Sequence, residues 1–126
     1  MVGRRQVRNM NSWLHNVPVL AKGRNRCTLL ISPQDAMRLG IEDRGKARVR
    51  SRSGEVVAEA QVSDEMMPGV VSLPHGFGHD RPGSRIGVAE AVQPGVNANQ
   101  LTDEMPLDAP SGTHIAIGIP VDIEAA

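Results

Sequence analysis

Apolar and polar residues alternate along the chain in short runs cut by Gly and Pro, and runs of that length predict strands more often than helices. Cys27-Thr-Leu-Leu-Ile31 is an unbroken run of strand length. Directly after it, Ser32 can cap a helix, Pro33 suits the first helical position, Asp35 complements the helix dipole and Gly40 supplies a stop. A two-turn helix over Pro33–Leu39 is therefore predicted. Lys46–Ser51 alternates, with Ala47 and Val49 on one face and basic residues on the other. Ser53-Gly54 turns the chain tightly into Glu55–Val62, which alternates again. After the Pro68-Gly69 turn, Val70–Leu73 is predicted as a strand, with a shorter one over Ile86–Val92. Thr113–Ile119 and Val121–Ile123 are read as closing strands. The expected fold is mainly β with one or two short helices, most economically a small closed barrel carrying long loops.

At 126 residues the chain has the length of one domain. It is 40% hydrophobic but only 2% aromatic, so aliphatic side chains must fill the core and platforms for stacking bases are scarce. A single Cys excludes an internal disulfide framework and, sitting in a strand-like run, Cys27 is expected to be a buried structural residue. No run approaches the length of a membrane span, and no apolar segment follows Met1-Val-Gly-Arg-Arg5, so a cytoplasmic location is expected.

Charge changes the picture. The net charge is zero, yet residues 1–52 carry twelve Lys and Arg against three acids, and residues 53–126 carry two against eleven. Either the halves pair with each other or a basic face meets an anion. A small phosphorylated ligand suits this balance better than a duplex, because nucleic-acid binders are usually basic overall.

Three polar clusters stand out. Arg8-Asn-Met-Asn-Ser-Trp-Leu-His-Asn16 gathers amides that can read a heterocycle edge and a guanidinium that can take a phosphate, or it is an exposed arm. Pro74-His-Gly-Phe-Gly-His79 can bring backbone amides close to an anion, or is a turn between strands. Asn97-Ala-Asn99 would aim both amides to one side if extended, or would cap the turn before Leu101-Thr102. His75 and His79 have a spacing that could serve zinc, but no HExxH or CxxC accompanies them, and no nucleophile elbow supports a hydrolytic triad.

Taken in order, Asn11-Ser-Trp-Leu-His-Asn-Val-Pro18, Cys27–Ile31 with Pro33-Gln-Asp-Ala36 and Leu39-Gly-Ile41, Val49–Gly54, Val62-Ser-Asp-Glu65, Pro68–His79, Asn97–Thr102 and Leu107–Gly112 resemble the molybdopterin dinucleotide-binding domain. This is the C-terminal domain of the dimethyl-sulfoxide-reductase and formate-dehydrogenase family. The resemblance covers nearly the whole chain. It implies a six-stranded double-psi β-barrel and a ligand, molybdopterin guanine dinucleotide, whose dithiolene holds molybdenum or tungsten. The metal would be held by the cofactor and by a residue of another domain, so no catalytic or metal-ligating residue is expected in this chain. By position, Arg8, Asn11, Trp13 and His15 match the family's N-terminal cofactor-contacting segment. His75, Gly76 and Gly78 match the loop beside the pterin, and Asn97 and Asn99 match the polar residues that meet the pterin or nucleotide edge.

The resemblance further implies a formate-dehydrogenase-like oxidoreductase whose remaining domains are this chain's partners, with neither nucleic acid nor a membrane span involved. Residues 1–126 would be a single domain from the C-terminus of a larger catalytic polypeptide, or a small separate polypeptide like that of formylmethanofuran dehydrogenases. Alone it would not be catalytic. The alternative function is a non-catalytic nucleic-acid or protein interaction barrel using the basic N-terminal half.

Overall fold

The computed structural model describes residues 1–126. Six strands form one mixed sheet in the order β1-β5-β2-β4-β3-β6. They are β1 (Val2–Arg4), β2 (Thr28–Ile31), β3 (Lys46–Arg50), β4 (Glu55–Val62), β5 (Ser72–Pro74) and β6 (Asp122–Ala125). Helices α1 (Pro18–Ala21), α2 (Pro33–Leu39) and α3 (Gly87–Val92) and a 3-10 turn (Ala98–Leu101) fill the connections. The mainly β character read from the sequence holds. The sheet is open, since the terminal strands β1 and β6 do not pair. The gap is narrow, however, because Met1 and Ile119 exchange backbone hydrogen bonds, each donating to the other's carbonyl.

The signals that predict α2 operate as expected. Ser32 Oγ accepts from the Asp35 amide at 3.1 Å, Pro33 opens the helix and Gly40 closes it in the left-handed conformation (φ 65°). Asp35 also accepts from Arg38 at 2.9 Å and from the Gly69 amide at 2.7 Å, which ties the helix to the turn before β5 and holds its carboxyl below the usual range. The β3–β4 hairpin keeps the alternation of its sequence. Ala47 and Val49 pair with Ala58 and Val56 inside the core, and the arginines between them face solvent.

Leu29, Ile31, Leu73 and Leu101 are fully buried in a core that also contains Ala47, Val49, Ala58 and Ala60. Burial of each large side chain stabilises the fold by roughly 1.5–3 kcal/mol. Cys27 packs at the core's edge, accepts from the Val96 amide at 3.3 Å, and burial pushes its thiol up to about 11. It is structural, as expected.

Three readings of the sequence are corrected. Ile86–Val92 reads as a strand, but Gly87–Val92 is helical and only Ala89 is buried. The Ala-Glu-Ala centre favours a helix, and no sheet edge is offered to it. Thr113–Ile119 forms no strand beyond one bridge between Leu107 and His114. Ile115 and Ile117 alternate correctly but meet no neighbouring strand and remain exposed. The first strand of the structure, β1, has no signal in the sequence, and β5 lies one or two residues later than its pattern suggests. Of the two readings of Asn97-Ala-Asn99, the capped turn holds and the extended one does not. Asn97 caps the 3-10 turn by accepting from the Asn99 amide at 3.0 Å.

Candidate functional site

The three polar clusters meet at one end of the sheet. The strap Pro74–His79, leaving β5, runs between the other two. Gly76 (φ 88°) lies so close to Asn11 that a Cβ would sit 1.4 Å from its carbonyl oxygen, and Gly78 (φ 99°) leaves 2.6 Å between such an atom and Asn97 Cβ. Only glycine permits both approaches. The space freed by the missing side chains is filled by neighbouring loops, so these glycines fasten the three segments together. The amides of Gly78 and His79 both donate to the Pro94 carbonyl, at 2.8 and 3.1 Å. They do not form the open anion nest that the glycines suggest.

Around the strap, side chains interlock. His75 Nε2 lies 2.9 Å from Asn11 Oδ1, which also accepts from Arg5 at 3.0 Å. Met10 and Asn11 both adopt positive φ (42° and 65°), a strained pair for non-glycine residues that makes the segment turn back on itself. Asn16 Oδ1 accepts from the Val88 amide at 2.9 Å and so joins this segment to the start of α3.

His15 is buried, its Nδ1 2.5 Å from His79 Nε2, with the Phe77 ring 4.5 Å away. Burial, then His79, then Arg26 push His15 down to about 4. Burial also lowers His79, against the opposing influence of the Gly76 backbone and Asp80. Both rings are accordingly neutral near pH 7, one donating and the other accepting. His75 and His79 thus turn to different partners, and no group of three or more His, Cys, Asp or Glu side chains is gathered as a metal would need.

Two residues leave polar atoms buried without partners in the N-terminal segment. Asn9 is 1% exposed, and neither its amide nitrogen nor its oxygen is hydrogen-bonded; His15 Nε2 is in the same condition. A buried amide in this state is costly unless something else completes it. Asn9 is not among the residues that sequence reasoning singles out. Its place within Arg8–Asn16 is visible there, but its burial is not. The other expected site residues are accessible. Trp13 is 79% exposed, Arg8 and Asn99 are exposed, and Asn97 is half-buried.

A sheet end that carries interlocked loops, exposed amides, a free indole and buried unpartnered polar atoms has the makings of a binding domain for a polar, partly planar ligand. The comparisons with known proteins agree with that class. Residues 1–115 match the family described as the molydopterin dinucleotide binding domain, and the chain belongs to that family. It is 30% identical over 91% of its length to the A chain of tetrathionate reductase from Salmonella typhimurium, and 36% identical over 77% to dimethyl sulfoxide reductase DmsA of Escherichia coli. It covers only 13% and 11% of those proteins. A shorter match, 40% identical over 37% of this chain, is to the alpha chain of F420-dependent formate dehydrogenase 1 from Methanococcus maripaludis. Acetylene hydratase from Pelobacter acetylenicus shares the fold, with a TM-score of 0.76 over the whole chain at 17% identity. No helix is long and apolar enough to cross a membrane.

Proposed function

We propose that this chain binds molybdopterin guanine dinucleotide as one domain of a molybdenum- or tungsten-dependent oxidoreductase. The observation that carries the reading is the meeting of Asn11, the Pro74–His79 strap and Asn97 at one sheet end, in a chain of this family. The donor set suits the ligand. Neutral amides and an imidazole match the edges of pterin and guanine. Trp13 offers a flat face for a ring, and Arg8 a fork for phosphate. Gly76 and Gly78 act indirectly, by holding the loops in place.

When bound, the metal dithiolene would supply the redox chemistry; the residues here would orient the organic part and exclude water from it. The two matches that cover most of the chain favour a reductase-type parent over the formate-dehydrogenase-like one expected from sequence. For the fold we propose that the six strands are those of a double-psi barrel. Support comes from the Met1–Ile119 exchange, which nearly joins the two ends of the ladder.

Titration of the 126-residue chain with GDP, followed by amide chemical shifts, tests the site. Coupled shifts at residues 9–16, 74–79 and 97–102 are expected, and Asn97→Ala with Asn99→Ala should weaken them without unfolding the chain. Shifts confined to other parts of the sheet would overturn the assignment.

A further inference from the structure

The N-terminal segment, residues 5–16, meets the Pro74–His79 strap at an exposed point and at a buried one, and the two respond differently to a proton. At the exposed point His75 Nε2 lies 2.9 Å from Asn11 Oδ1. That oxygen only accepts, so the ring donates, and it goes on donating after gaining a second proton. At the buried point His15 Nδ1 faces His79 Nε2 at 2.5 Å, with the Phe77 ring packed against His15. One proton fits between those two nitrogens. One ring must therefore accept, and an accepting imidazole is neutral.

The surroundings hold the buried pair in that neutral state. His15 Nε2 has no hydrogen-bond partner, so a proton added there would carry a charge that no neighbouring group accepts. Arg26, from the loop before β2, opposes a charge on His15 and itself feels Arg8 of the segment. At the other ring Asp80 and the Gly76 backbone favour the charge, but burial outweighs them. Arg5 donates to Asn11 Oδ1 at 3.0 Å and reinforces only the exposed point. The docked segment also carries costs of its own. Met10 and Asn11 keep positive φ, and Asn9 is buried with neither amide atom bonded, costs that fall away once the segment moves into water. The strap is held differently, because the backbone amides of Gly78 and His79 donate to the Pro94 carbonyl whatever the rings carry.

We propose that the buried His15–His79 pair is an acid-released latch between the N-terminal segment and the strap. With a proton on both facing nitrogens, N–H meets N–H and the bond is lost; a proton on His15 Nε2 leaves an uncompensated charge beside Phe77. The segment then leaves, tethered by β1 before it and by the Asn16–Val88 hydrogen bond after it, while the strap stays on Pro94. Opening takes up as many as two protons, so it is coupled to pH. The closed latch holds His15 near 4. A ring in water titrates near 6.5, so a fall from pH 7.5 to 5 raises the ratio of open to closed about thirty-fold through His15 alone. His79, lowered as well, adds to the response. The latch is a property of the fold and stands whatever the loops bind. Its effect on a ligand rests on the dinucleotide reading above: a guest held by all three segments loses one of them in acid.

Amide-exchange protection and the imidazole shifts of His15, His75 and His79 are followed in the full chain from pH 7.5 to 4.5. Protection of the Leu14 and His15 amides, which bond within the segment, is expected to fall about thirty-fold or more by pH 5, in step with titration of His15 and His79. The Gly78 and His79 amides and those of the β3–β4 hairpin should keep theirs. His15→Gln retains a donor to His79 and does not titrate in this range, so it should remove most of the response, whereas His75→Gln should leave it in place. The wild-type titration decides by itself where a variant's segment fails to dock. Constant protection of Leu14 and His15 down to pH 5, a loss shared equally by the hairpin amides, or an undiminished response in His15→Gln overturns the proposal. GDP is titrated at pH 7.5 and at pH 5 into the wild type and His15→Gln. Affinity lost in acid only with the intact pair carries the latch through to the ligand; GDP that never binds overturns the dinucleotide reading and leaves the latch standing.

Discussion

The β3–β4 hairpin and the N-terminal segment are built from similar polar material and treat it in opposite ways. On the hairpin every arginine from Arg44 to Arg52 has a carboxylate partner, and the apolar positions between them interdigitate in the core. In the segment from Arg4 to Arg26 no guanidinium or ammonium meets an acid, Asn9 is buried without partners, and Met10 and Asn11 hold strained backbone. The first region is complete in itself. The second is organised but its cations are not neutralised by carboxylates, and strained backbone and a buried unpaired amide lie within it.

The sharpest break of this contrast is Gly76→Ala. The added methyl would collide with the Asn11 backbone, and φ 88° is unfavourable for alanine. A loss of about 3 kcal/mol or more is expected in chemical denaturation, far beyond the cost of a typical loop substitution. A hairpin counterpart, Arg48→Ala, should cost about 1 kcal/mol or less even though it removes two ion pairs, because those pairs are solvent-exposed.

Acid should act on the unfinished region first. His15 is held near 4, below its unfolded value of about 6.5. The unfolded chain therefore binds more protons between those values, and stability falls as pH drops from about 6.5 towards 4. Above that window the contribution is fully present. His15→Phe should flatten this part of the pH–stability curve while leaving the limb set by Asp35 at lower pH intact. Near-ultraviolet circular dichroism of Trp13 and thermal melts would follow both.

The smallest effects concern the unpaired groups. Asn9→Leu removes a buried amide with nothing bonded to it, so stability should stay within about 1 kcal/mol or rise. An equivalent change at Gln93, which makes several bonds, should be clearly destabilising. Added salt should slightly weaken wild-type hairpin pairing and slightly relieve the repulsion between Arg8 and Arg26; Arg8→Gln should reduce only the second response.

How much of this is legible in the sequence follows from range. Ser32, Pro33, Asp35 and Gly40 act within a few residues of one another, and Ser53-Gly54 within one hairpin, so α2 and the β3–β4 pair can be read directly. The three-residue β1 exists because Ser72–Pro74, far along the chain, lies beside it, and nothing in Val2-Gly-Arg4 declares that. Gly87–Val92 alternates like a strand but has no sheet to join. The charge asymmetry leaves open whether the halves pair or a basic face stays free; the ion pairs gather on and beside β3. Among the site residues, Asn11, Gly76, Gly78 and Asn97 stand out by type and the structure brings them into contact, whereas Trp13 and Asn99 remain outward-facing. Asn9 becomes visible only through its burial, a tertiary property.

Helix α3 has a mechanical consequence for both ends of the unfinished region. Its first turn receives Asn16 and its last residue is followed by Gln93, which grips the loop from Ala21 to Arg26. A short helix thereby acts as a splint between the polar arm and the loop that carries Lys22, Arg24 and Arg26. A disturbance at either end has a stiff route to the other, and amide hydrogens of α3 are the place where such traffic would register as slowed exchange.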